Sequence, residues 1–412
     1  MGGPEPHTMI EMVARQSYGR LVAYLSARSG DVAGAEDALG DAFLAALERW
    51  PADGIPDKPE AWLLRVARNR MIDAGRRNKV RLEAAGQLEH IARDAEVLAA
   101  AGEEFPDERL ALLFVCAHPA IDPAARTPLM LQTVLGVEAG RIASAFLVSP
   151  AAMSQRLVRA KNKIREARVP FRVPELPEWT ERLSFVLDAI YAAYTTGWES
   201  LAEPSSTHHA LAGEAMLLGR MLVRWMPAEP EPAGLLALML HCEARRNARY
   251  TREGAFVPLD RQDPALWSRP LIAEAEDLLH AAAACKSMGR YQLEAAIQSI
   301  HAYRATSGKI DWPEILLLYE GLVRLAPGIG SLTGRAVGLA QAGRPAEALA
   351  ALREIPAERI AGYQPYWAAR GHVLELLGRG EEARQALARA ASLTEDAAMR
   401  AHLLERAQSA GG

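Results

Sequence analysis

Alternating runs of Val, Ile and Thr, the mark of half-buried strands, are absent from this chain, while Ala, Leu, Arg and Glu at helical spacing fill it. This pattern predicts an all-α protein. At 412 residues the chain exceeds one ordinary core, so two to four helical domains are expected.

Breakers divide those helices into four pieces. In the first, residues 10–81, Met12, Tyr18, Leu21, Val22 and Leu25 mark an opening helix that Ser29-Gly30-Asp31 ends. A second helix spans Ala35 to Trp50, and a loop from Pro51 to Pro59, broken again at Gly54 and Pro56, follows. A third runs from Pro59 to Arg81, with Leu63, Val66, Ala67, Met71 and Ala74 inward and Arg65, Arg68 and Arg76 outward. Residues 82–106 form an acidic tether carrying Glu83, Glu89, Asp94, Glu96, Glu103 and Glu104.

The third piece, residues 107–168, opens on a cap at Asp107 and ends in a helix-turn-helix pattern between Gly136 and Ile164. There Ile142, Ala143 and Phe146 suit the buried side of one helix. Leu147-Val148-Ser149 makes the turn, Ser149 caps the next helix and Pro150 takes its first position. Met153 and Leu157 anchor that second helix. Three prolines between Val169 and Trp179 mark a boundary, and residues 180–412 form the last piece. In it GRPAEALAAL at Gly343 recurs as GRGEEARQAL at Gly378, an offset of 35 residues, with a weaker echo at Gly289. Stacked tetratricopeptide-like helix pairs have nearly this period.

Charge is distributed unevenly. The net charge is -4, yet Pro59 to Arg81 holds Arg65, Arg68, Arg70, Arg76, Arg77, Lys79 and Arg81 against Glu60 and Asp73. Ser154 to Arg168 holds Arg156, Arg159, Lys161, Lys163, Arg165 and Arg168 against Glu166 alone. Two cationic helices on an acidic chain point to a polyanion touched at two places, and DNA fits best. On the second helix Ser154, Gln155, Arg156 and Arg159 are free to face a major groove; Arg159, Lys161 and Lys163 also suit phosphates. A solvated basic face is the plainer alternative. Trp62 reads either as core or as an aromatic for an unstacked base.

In order, AEDALGDAFLAALERW, PEAWLLRVARNRMIDAGRR, a tether and the helix-turn-helix pattern resemble bacterial sigma-70 factors of the extracytoplasmic-function (ECF) group. The resemblance covers about residues 10 to 168. It implies a region-2 domain and a region-4 helix-turn-helix domain joined by a linker, with core RNA polymerase and promoter DNA as partners. Arg65, Arg68, Asn69, Arg76 and Arg77 would contact the −10 element. Ser154, Gln155, Arg156, Arg159, Lys161 and Lys163 would contact the −35 element. Glu36, Asp37, Asp41 and Phe43 would dock on the clamp helices of the β′ subunit, and region 4 would add further polymerase contacts. Gly40 replaces a Gln common in that docking helix, and Leu147 a Gly common in the turn. The extension resembles a subgroup in which a helical, tetratricopeptide-like segment regulates the sigma factor. That implies a regulatory domain and leaves room for a regulatory protein partner. ARRNARYTR, Ala244 to Arg252, adds a basic cluster expected on a helix, either solvated or touching the sigma core, polymerase or DNA.

Other functional classes find little support. Cys116 with His118 and His241 with Cys242 lack zinc-ligand spacing, and Gly328, Gly330 and Gly334 follow no strand, so no enzyme, metal or cofactor is expected. His208-His209 reads as a solvated loop pair. Cys116, Cys242 and Cys285, odd in number and far apart, suit a reducing cytoplasm, and neither a signal peptide nor a membrane span is expected. A DNA-binding regulator that never joins polymerase and a tetratricopeptide scaffold are the alternatives.

Overall fold

The computed structural model describes residues 5–77, 106–146, 148–199 and 206–410. The acidic tether at 82–105, Lys79, Arg81 and the turn residue Leu147 lie outside them, as do the side chains of Ala74, Arg76, Arg77, His208 and His209. The protein is all-α, and among the described residues the one β feature is an isolated bridge between Tyr250 and Phe256. The Cα trace divides into two compact units, residues 1–197 with 205–218 and residues 198–204 with 219–412.

The first unit opens with α1 (Pro6–Ser29), α2 (Val32–Asp53) and α3 (Pro59–Arg77). Gly30 stops α1 in the left-handed region at φ 67°, its N–H donating to the Ser26 carbonyl at 2.9 Å. Asp31 then caps α2 by accepting from the Gly34 N–H. Helix α2 runs one turn beyond the expected Trp50, because Pro51 in a last turn forfeits little of the hydrogen-bond ladder. Leu21, Val22, Leu25, Leu39, Trp50, Leu63 and Leu64 fill the core of these three helices.

Next come α4 (Arg109–Cys116), α5 (Pro123–Thr133), α6 (Ala139–Ala145) and α7 (Pro150–Glu166). Ser149 caps α7 by accepting from the Ala152 N–H at 3.2 Å, and Met153 and Leu157 are buried. Ile142 and Ala143 are buried as well. Phe146 is not: it follows the end of α6 and stays exposed. Helix α1 packs on α4 and α5, and α2 packs on α7, so residues 10–77 and 107–168 share one compact unit.

That unit also takes in α8 (Leu176–Glu199) up to Gly197 and the first part of α9 (Ser206–Trp225). The prolines at 169–179 therefore do not separate the units. Arg126 lies over the Phe185 ring at 4.5 Å, and buried Arg109 pairs with Asp107 (2.6 Å) and with Glu214 of α9.

The second unit is built around α10 (Pro230–Ala244), buried on nearly every side, with α11 (Arg269–Ala284) and α12 (Arg290–Ser307) against it. Then α13 (Trp312–Leu325), α14 (Ile329–Gln341), α15 (Pro345–Arg353), α16 (Ala357–Ile360), α17 (Gln364–Leu376), α18 (Gly380–Ser392) and α19 (Ala397–Ala410) follow. From α12 onward successive helices share cores: Leu293 with Leu322, Leu339 with Leu349 and Val373, Leu387 with Leu403.

The 35-residue echo is exact in its local geometry. Gly343 and Gly378 sit at φ 80° and 68°, where glycine alone is unstrained. Arg344 and Arg379 each donate a backbone N–H to a carbonyl five residues back at 2.9 Å, and each guanidinium holds the Glu three residues ahead.

Candidate nucleic-acid and partner-docking interfaces

Helix α3 is held at its start by Glu60, which accepts from Ser17 and, at 2.7 Å, from Arg20. Trp62 packs edge-on against buried Trp50, ring centroids 5.6 Å apart, so it belongs to the core margin. With Leu63, Leu64 and Ala67 inward, Arg65, Asn69 and Arg70 face water and Arg68 is half-buried. Arg70 reaches to 3.8 Å from Asp41 of α2. This helix end thus presents cations on a rigid support, as phosphate contact requires.

Helix α2 carries the second feature. Its core face is Ala35, Leu39, Ala42, Ala46 and Trp50. On the opposite face Asp37, Gly40, Asp41, Leu44, Leu47 and Glu48 are all exposed and fall on one helical stripe. Leu44 is 60% and Leu47 39% exposed. An apolar centre edged by carboxylates, left bare on a regular helix, has the make-up of a site for a partner helix. Asp37 and Asp41 were expected there. Leu44 and Leu47 were not, because leucines in a helical run read as core unless their phase against Leu39 and Trp50 is checked. Phe43 is half-buried at the flank.

Helix α7 carries the third. Ser154, Gln155, Arg159 and Lys163 are exposed; Arg156 is half-buried and donates to the Ala124 carbonyl at 3.3 Å. Lys161 lies elsewhere. It forms an ion pair with Glu36 of α2, the two side chains only 11% and 12% exposed. Burial raises the Glu36 pKa above the ordinary carboxylate value, and Lys161 pulls it back. Burial, then Glu36 and Asp37, raise the nearby Tyr18 phenol. Two residues expected on separate surfaces thus meet each other.

The basic cluster at Ala244–Arg252 forms no continuous helix. Helix α10 ends at Ala244, a short turn at Arg246–Ala248 follows, and Arg245 and Arg249 are buried. Arg245 donates to Gln298 at 2.6 Å, Arg246 pairs with Glu243, and Arg249 stacks on Trp198. Neither solvent nor nucleic acid meets these two buried cations. No group of His, Cys, Asp and Glu among the described residues has the geometry to hold a metal.

Residues 13–81, which span α1 to α3, match the sigma-70 region 2 family. The N-terminal helices form a sigma-70 region 2 domain. Residues 182–283 match a family of unknown function, DUF6596. An uncharacterized protein of Rhizobium meliloti (strain 1021) is 39% identical over 394 residues, covering 94% of this chain and 92% of its own length, and the two belong to one family. No solved structure matches. No helix among the described residues is long and apolar enough to cross a membrane.

Proposed function

We propose that the protein is an ECF-type sigma factor that carries its own helical regulatory extension. The observation behind this reading is the juxtaposition, inside the region-2 match, of a bare Asp37–Glu48 stripe on α2 and a cationic α3. The stripe docks core RNA polymerase, with Asp37, Asp41 and the exposed leucines making the contact. The α3 face, Arg65, Arg68 and Asn69 with Arg76 and Arg77 farther along, meets the −10 element. Helices α6 and α7 act as the region-4 helix-turn-helix, reading the −35 element through Ser154, Gln155, Arg156 and Arg159 with Lys163 on phosphate. Tetratricopeptide-like pairs from α12 onward form the regulatory part and offer a surface for a regulatory protein.

Capture of core polymerase by the full chain, followed by promoter-dependent run-off transcription with the reconstituted holoenzyme, tests this. Capture with specific transcripts is the expected result. DNA binding without polymerase capture would mean a free-standing regulator, and loss of both would mean a scaffold.

A further inference from the structure

At the end of α10, His241 and Arg245 stand one turn apart on the same face. Arg245 is 7% exposed and its charge is permanent, yet all its partners among the described residues are neutral. Its Nε donates to the His241 carbonyl at 3.2 Å. Its Nη2 donates to the Gln298 side-chain oxygen at 2.6 Å and lies 3.8 Å from the Cys242 sulfur. Its Nη1 is buried with no hydrogen-bond partner. A guanidinium taken out of water without a counter-charge is a costly arrangement.

Two buried histidines share this environment. His241 is 1% exposed and neither of its ring nitrogens is hydrogen-bonded; His301 is 8% exposed and its Nδ1 is unpartnered. The Arg245 charge acts on both rings, and the Arg304 charge acts on His301 as well. Gln298, His301 and Arg304 follow one another at three-residue spacing, so one stripe of α12 turns toward the end of α10. Arg304 in turn donates to the carbonyls of Leu259, Asp260 and Gln262 and lies 5.2 Å from the centre of the Trp267 ring, whose own Nε1 is buried and unpartnered. One carboxylate reaches the group. Glu276 stands 3.4 Å from His241 Nε2, but it accepts from Ser299 at 2.6 Å and is a third exposed.

We propose that the end of α10, this stripe of α12 and Trp267 form a closed binding site for a free inorganic oxyanion of tetrahedral shape, phosphate or sulfate. Water can satisfy a neutral N–H, but it does not offset the Arg245 charge. The paired Nε and Nη2 edge of Arg245, which would grip a flat carboxylate, is spent on His241 and Gln298. What remains are single N–H groups on separate residues, which suit oxygens that point in several directions. The burial of His241, Arg245, Trp267 and His301 leaves no path for an organic arm, hence a free ion. The site does not depend on the sigma-factor reading. His241, Arg245 and Trp267 fall within the residues 182–283 that match a family of unknown function, so it gives that segment a ligand chemistry.

Isothermal titration calorimetry of the full chain with sodium phosphate, sodium sulfate and sodium acetate, at ionic strength matched with chloride, is the test. One saturable site per chain is expected for phosphate and sulfate and none for acetate. Both ions also stabilise proteins generally through exclusion from the surface, but that effect does not saturate and survives mutation. His301→Phe keeps a ring against Trp312, 5.5 Å between centroids, and loses the Nδ1 group; it should weaken the site about tenfold. Arg245→Gln should abolish it. If circular dichroism shows Arg245→Gln to be unfolded, His301→Phe decides alone. Arg261→Gln removes an exposed charge and should bind like wild type. A wild-type chain with no saturable site overturns the proposal, and so does wild-type affinity in a folded His301→Phe. An equal loss in Arg261→Gln reduces the effect to general electrostatics and overturns it too. Acetate binding as tight as phosphate overturns the tetrahedral assignment, and glycerol 3-phosphate binding tighter than phosphate overturns the closed, free-ion site.

Discussion

Arg249 gives the sharpest test of whether the basic cluster after α10 is architecture or a binding surface. Its side chain is 6% exposed, its guanidinium lies 3.7 Å from the centre of the Trp198 ring, and it donates to the Trp198 carbonyl at 3.0 Å. Burial lowers its pKa, with Tyr250 and Asp396 pulling it back. Arg249→Ala removes a desolvated cation–π contact worth about 2 kcal/mol. It also removes a charge-assisted hydrogen bond worth about 1.5–3 kcal/mol. Relief of the cost of burying the guanidinium offsets part of this, leaving a net loss of about 3 kcal/mol. In a unit of this size each kcal/mol lowers Tm by about 2–4 °C, so the second unit should melt about 6–12 °C earlier. Arg249→Lys keeps the charge without the flat stacking group and should lose about half as much. Scanning calorimetry, with near-ultraviolet circular dichroism on the tryptophan band, measures both. DNA affinity, read well below the transition, should match wild type. An Ala variant with wild-type melting and weakened DNA binding would refute the argument.

Three further outcomes are expected. Leu44→Asp should leave folding stability within about 0.5 kcal/mol of wild type, as an exposed site does, yet weaken core polymerase capture at least tenfold by biolayer interferometry. Gly40→Ala, with open space around the added methyl, should stabilise α2 by about 1 kcal/mol and raise the first unit's Tm by a few degrees. His241 and His301 are buried, and their pKa values fall to about 4, through burial and then Arg245, with Arg304 adding to it at His301. The Glu276 carboxylate 3.4 Å from His241 does not reverse this. Between the ordinary value of 6.5 and about 4 the unfolded chain binds protons that the folded one refuses. The second unit should therefore lose stability as pH falls through that window and show no such dependence above it. Urea titrations across pH check this, and His301→Phe should flatten the curve.

The parts of this fold that were legible in the sequence are those set by neighbours along the chain. Gly30 and Asp31 mark a stop and a start because their chemistry acts within one turn, as do Ser149 and Pro150. Met153 and Leu157 follow from helical period alone. Periodicity records which face is apolar but not what covers it, so Phe146, next to a helix end, was misjudged. Charge misleads more. Runs of arginine look alike whether water, phosphate or a buried tryptophan receives them, and Arg245 and Arg249 differ from Arg159 only through partners such as Gln298 and Trp198, both about 50 residues away. The Glu36–Lys161 pair, with partners on two helices that sequence assigns to separate domains, was beyond reach for the same reason.

Helix α9 has a consequence for how such a chain can be inherited. Its residues to Leu218 belong to one unit and those from Gly219 to the other, with Glu214 meeting Arg109 on the first side and Arg220 meeting Glu274 on the second. A rod that forms a wall of two cores offers no neutral point for a crossover. A recombination junction on either side strips one core of an ion pair and apolar cover. A gene encoding this chain should therefore drift by point substitution and keep its two parts together. The Rhizobium meliloti relative matches 94% of this chain, so counterparts of both parts lie together in one protein there too.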